Sequence, residues 1–75
     1  MSRKKTSTVL RLIEKEYKGK LTDVYNETNA YGIIECTYKF TDNRPLQVMI
    51  RETKDGKFCS GKIFNEETFE ETEIV

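Results

Sequence analysis

The chain has no histidine, no tryptophan, one proline and two cysteines in 75 residues. Without histidine it lacks the side chain that titrates near neutrality unaided, and the commonest metal ligand with it. Cys36 and Cys59 have no CxxC spacing, so they form no zinc motif, and no histidine is present to activate either as a nucleophile. Gly-Lys pairs occur at Gly19-Lys20, Gly56-Lys57 and Gly61-Lys62, but no GxxxxGK[ST] or GxGxxG frame surrounds them. The glutamates from Glu66 to Glu73 are the one carboxylate cluster, and they lack the spaced ligands and glycine of a calcium loop. These absences argue against an enzyme, a cofactor, a metal and a small-molecule substrate.

Long apolar runs are missing too. Nothing approaches the ~20 residues of a membrane span, and Ser2-Arg3-Lys4-Lys5 leads into a short amphipathic segment, not a signal-peptide core. A cytoplasmic protein without membrane contact is expected. Charge of one sign is absent overall: 13 cations balance 13 anions, which disfavours a uniformly basic nucleic-acid binder and a uniformly acidic DNA mimic. The charges are unevenly placed, however. Residues 1–20 hold seven Lys/Arg against two Glu, and residues 65–75 hold five Glu and no cation. Either the two ends attract one another across a small fold, or the asymmetry is an interaction device.

What is present is concentrated between Tyr31 and Phe64, a stretch rich in β-branched and aromatic residues. Asp55-Gly56 is a strong two-residue hairpin signal, because a type I′ turn needs positive φ at both positions. Placing it at the corner pairs Val48 with Ile63, Ile50 with Gly61, Met49 with Lys62, Arg51 with Ser60, Thr53 with Phe58 and Glu52 with Cys59. The turn Thr41–Pro45 aligns Tyr38 with Val48 and Cys36 with Ile50. One face of the meander then carries Ile34, Cys36, Tyr38, Phe40, Leu46, Val48, Ile50, Cys59 and Ile63, the expected core. The opposite face mixes Glu35, Lys39, Arg51 and Lys62 with Met49, Phe58 and Phe64. Apolar groups rimmed by charge in this way mark interaction surfaces.

Ahead of the meander, Val9, Leu10, Leu12, Ile13 and Tyr17 follow a helical period over residues 7–18. Thr6, Ser7 or Thr8 would cap its start, and Gly19 suits the left-handed position after its end. The buried face is Leu10, Ile13 and Tyr17, flanked by Val9 or Leu12. Leu21, Val24 and Tyr25 suggest a short edge strand, with Asn26–Asn29 turning into the next strand and Gly32 marking a bulge. Residues 65–75 read as one or two helical turns or a tail; if the segment packs, Phe69 with Glu66, Glu70 or Glu73 is composed to lie over the outer sheet face, and otherwise it stays mobile. Cys36 and Cys59 stand on strands two spacings apart, roughly 9–10 Å, too far for a disulfide; two reduced, buried thiols are expected.

The fold class is therefore α+β: an N-terminal helix packed on one face of a three- to four-stranded antiparallel meander, or else a small SH3/Sm-like barrel with an N-terminal helix. Residues 1–75 make one domain, with 1–6 a disordered basic arm, 7–64 the folded core and 65–75 an acidic C-terminal segment. The order helix, meander, C-terminal helix is similar in outline to a double-stranded-RNA-binding domain, although Asn65-Glu66-Glu67 stands where that family's second helix begins with basic residues.

Two functions follow. The first is a small non-enzymatic binding protein (inhibitor, adaptor or homo-oligomeric module) whose partner is another protein or a second copy. Its interface is Lys39, Met49, Arg51, Phe58, Lys62 and Phe64, since Met, Arg and aromatic residues are enriched at interfaces. The alternative is a nucleic-acid-binding regulator, with Arg3, Lys4, Lys5, Arg11 and Lys15 on phosphate and Phe58 and Phe64 stacking on bases.

Overall fold

A computed structural model describes residues 3–74. Helix α1 (Thr6–Tyr17) lies against a sheet of five antiparallel strands: β1 (Leu21–Thr28), β2 (Ile34–Phe40), β3 (Leu46–Glu52), β4 (Phe58–Asn65) and β5 (Glu71–Glu73). The strands are ordered as they occur in the chain, with β1 and β5 at the two edges. The sheet is open, so the barrel alternative does not form. Five strands replace the expected three or four, because 21–28 is a full strand and the C-terminal segment adds another.

The core lies between α1 and one sheet face. Val9 and Ile13 from the helix meet Phe40, Val48, Ile50 and Ile63, with Leu10, Tyr17, Leu21, Tyr38, Leu46, Phe58 and Ile74 packed around them. Leu12, a candidate for the helix flank, is 52% exposed, so Val9 takes that role. The helix ends differ from the expected caps. No side chain caps the N-terminus; Thr6 N–H instead donates to Gly56 C=O at 2.8 Å, and Phe58 N–H donates to Lys4 C=O at 2.8 Å. Of the arm expected to be disordered, Met1 and Ser2 lie outside the described residues, whereas Lys4 to Thr6 are fastened to the β3–β4 hairpin, with Lys5 bridging Lys57.

At the helix C-terminus the left-handed residue is Lys18, not Gly19. Gly19 is required by proximity: a Cβ there would sit 2.8 Å from both the Arg44 guanidinium and the Phe40 ring. Arg44 closes this end. Its Nη1 donates to Tyr17 C=O at 2.6 Å, its plane lies 4.3 Å from the Phe40 centroid, and Asp42 holds it in place. A cation at the helix's negative end is electrostatically favoured. The Arg44 guanidinium in turn holds the Asp42 carboxyl below its usual range.

The sheet register across the core is as expected: Tyr38 opposes Val48, Cys36 opposes Ile50, Val48 opposes Ile63 and Ile50 opposes Gly61. The corner itself differs. Gly56 N–H donates to Thr53 C=O, and Thr53 N–H donates to Lys57 C=O, so the loop has three residues. Of these only Gly56 takes a positive φ, +80°, whereas a type I′ turn needs two. The extra loop residue shifts β4 by one, and a bulge at Cys59 shifts it back: Glu52 opposes Phe58, and Arg51 opposes Ser60. Phe58 therefore faces the core beside Ile63, contrary to the expected outer position, and Cys59 becomes the half-buried bulge residue.

The loop supplies a clean test. Nothing lies within 4 Å of a Cβ placed on Gly56, so Gly56→Ala introduces backbone strain alone. The expected loss in urea denaturation is about 1–2 kcal/mol, and Gly56→Asn, which tolerates this conformation, recovers part of it. Equal stability of all three chains would refute the three-residue loop.

Candidate functional site

The outer sheet face consists of three rows fixed by the register. The first is Glu27, Glu35, Arg51, Ser60; the second is Tyr25, Thr37, Met49, Lys62, Glu73; the third is Thr22, Lys39, Gln47, Phe64, Glu71. The first two rows line a shallow concavity of about 500 Å³ that includes Tyr25, Glu27, Glu35, Met49, Arg51 and Lys62. Met49 is central and half-buried, and Tyr25, 59% exposed, stands at the β1 side. No helix or strand crosses this face among the described residues.

The C-terminal segment takes neither of the two courses open to it, a cover over this face or a mobile tail. It turns at 66–70 and extends the sheet in plane, with Lys62 opposite Glu73 and Phe64 opposite Glu71. This also removes the outline shared with a double-stranded-RNA-binding domain, since a strand stands where a second helix was expected. Phe69 touches Phe64, with centroids 6.1 Å apart, and is 74% exposed. The segment does reach Lys39, which pairs with Glu66 at 2.9 Å.

Each cation of the face has an acidic partner. Lys39 pairs with Glu66, Arg51 with Glu35 at 2.8 Å, and Lys62 with Glu71 at 3.1 Å. Lys39 pulls the Glu66 carboxyl below its usual range. Surface pairs of this kind contribute little stability, typically under about 1 kcal/mol. Their effect is to fix long side chains as a rim around Met49 and to neutralise the charge that would attract phosphate.

Five of the six expected interface residues, Lys39, Met49, Arg51, Lys62 and Phe64, share this face; Phe58 does not. Glu35 is on the face as expected, whereas Tyr25 and Glu27 join it from β1 and were not expected there. The reason lies in a second bulge. The pairing of β1 with β2 shifts between Asp23 and Tyr25, and the extra residue, Val24, inverts the alternation. Asp23 opposes core-facing Tyr38, whereas Tyr25 opposes outer-facing Thr37. A strand read with strict period two places Tyr25 on Asp23's side, so only the pairing reveals the tyrosine. The expected turn at Asn26–Asn29 is also displaced: Asn26, Glu27 and Thr28 are strand, and Asn29 Oδ1 accepts from Tyr31 and Ile33 N–H to organise the turn.

The alternative set lies elsewhere. Arg3, Lys4, Lys5, Arg11 and Lys15 are all exposed on the helix side of the molecule. Lys4 and Lys15 border a groove of about 740 Å³ between α1 and β5, whose floor is the core flank of Val9, Ile13, Ile63 and Ile74. Glu16 and Glu73 border the same groove, and Phe58 and Phe64, the expected base-stacking pair, are on opposite sheet faces. Among the described residues no helix is long and apolar enough to cross a membrane.

The fold and site define a small α+β domain with one uncovered sheet face. No family model matches the chain, and neither do curated proteins or solved structures.

Proposed function

We propose that this is a small non-enzymatic binding protein acting in the cytoplasm through a protein–protein interface on the outer sheet face. The observation that carries the proposal is the fate of the C-terminal segment: it joins the sheet edge, so that exposed Tyr25 and half-buried Met49 share an open concavity, with the Phe64–Phe69 pair on the β4 side of the same face. An apolar centre with aromatic, Met and Arg side chains inside a polar rim is how protein interfaces are built. Two free thiols suit a reducing compartment.

Affinity capture with the intact chain as bait, run beside Met49→Glu and beside Arg11→Glu/Lys15→Glu, tests it, with light-scattering mass as the check for a second copy. A charge buried against an apolar centre typically costs several kcal/mol, so Met49→Glu should abolish capture or self-association while the helix variant retains it. The reverse pattern, together with binding of labelled oligonucleotides that weakens steeply with salt, would transfer the function to Arg3, Lys4, Lys5, Arg11 and Lys15.

A further inference from the structure

The two edges of the sheet are treated unequally. On the β4 side, the N-terminal segment bonds to Gly56 and Phe58, β5 pairs with Lys62 to Phe64, and Ile74 N–H donates to Gly61 C=O. Both chain ends are thus used to close that edge. On the other side β1 runs for eight residues with nothing beside it among the described residues. Apart from its ladder with β2, the strand's one amide bond among the described residues is Leu21 N–H donating to Glu14 Oε2 at 2.8 Å. An open edge offers a row of unpaired N–H and C=O groups, the template to which an extended segment adds as a further strand.

The charges on β1 identify the kind of segment. Glu27 stands opposite Glu35, and Arg51, the cation of that row, is engaged by Glu35 through both Nε and Nη2. Like charges directly opposite one another destabilise a sheet. Asp23, on the other face of the strand, has only the Asn26 amide as a side-chain partner, at 2.9 Å. Neither Asp23 nor Glu27 forms an ion pair among the described residues. Between them, Val24 and Tyr25 are 49% and 59% exposed.

From this we infer that β1 accepts an extended, cationic segment of a partner protein by strand addition, with a lysine or arginine meeting Glu27 on one face and Asp23 on the other. A second copy is a poor occupant, because β1 itself carries two acidic residues and no lysine or arginine with which to meet them. The inference takes up the reading of the protein as a binding module and names a partner chemistry for its β1 side. It uses backbone groups that the outer-face interface does not, so the two can fail separately.

The probe is a synthetic peptide as long as β1, acetylated and amidated, with lysine pairs separated by valine–threonine pairs. It is added to the intact isotope-labelled chain at low salt. Amide exchange should slow along Asp23–Thr28, and the affinity should fall about tenfold for a glutamate-for-lysine peptide or for Asp23→Asn/Glu27→Gln. A peptide N-methylated at alternate residues should not bind, since it cannot form the ladder. Met49→Glu should leave this binding intact even where it abolishes the outer-face interface. Equal binding of the glutamate or N-methylated peptide, shifts confined to Met49, Lys62 and Phe64, or protected β1 amides in a peptide-free dimer would each overturn the inference.

Discussion

Phe40→Ala should cost about 3–5 kcal/mol, against a total stability of roughly 4–11 kcal/mol for a domain this short, and leave the chain at or beyond its folding limit. The ring is 2% exposed in the core cluster. It meets Tyr17 at a centroid distance of 5.9 Å and lies beneath the Arg44 guanidinium that closes the helix C-terminus. Truncation therefore opens a cavity, removes an aromatic pair and unseats the cation holding the end of α1. Leu12→Ala on the same helix, at a side chain 52% exposed, should change stability by less than about 0.5 kcal/mol. Urea denaturation followed by circular dichroism compares the two. Near-equal losses would mean that α1 meets the sheet through another stripe than Val9 and Ile13.

How much of this was legible in the residues depends on range. The alternation of Tyr38, Val48 and Ile50 with their neighbours sufficed for the core register, because a slip by one residue would expose every aliphatic group at once. Helix α1 was legible for the same reason, its apolar stripe having a face to meet. What period-two reading misses is the bulge. Val24 and Cys59 each insert one residue, and each reverses the facing of an aromatic neighbour, bringing Tyr25 to the outer surface and Phe58 to the core. Neither carries a glycine or proline to announce it, and the Cys59 bulge offsets an extra loop residue that only the pairing reveals. The fate of residues 65–75 was hidden for a related reason. A three-residue strand has too few side chains to show a period, and its pairing with β4 is a long-range contact. Arg44 was equally silent, since a helix cap supplied from 26 or 27 positions downstream leaves no local pattern.

The polar end of the core face carries the other large effect. Cys36 is 3% exposed, and its thiol donates to Glu52 Oε1 at 3.5 Å. Burial, and next the Glu52 charge, push its pKa from 9.0 up to about 11. Tyr38, two residues along on the same face, is likewise moved above its ordinary 10.0, by burial first and then by the neighbouring thiol. In both cases the folded state holds the neutral form while the unfolded chain ionises sooner. Below pH 9 both states keep the thiol proton and stability is unaffected. As the pH rises from about 9 to about 11 the unfolded chain releases the proton first, and the fold loses roughly 2–3 kcal/mol through Cys36 alone. Urea midpoints near neutrality and at the alkaline end, for the native chain and for Cys36→Ala, measure the contribution of the thiol together with its effect on Tyr38. The native chain should lose about 2 kcal/mol more than the variant over that interval. Parallel losses in the two chains would mean that Cys36 ionises as freely in the fold as out of it, and that the β1 flank of the core is open to water.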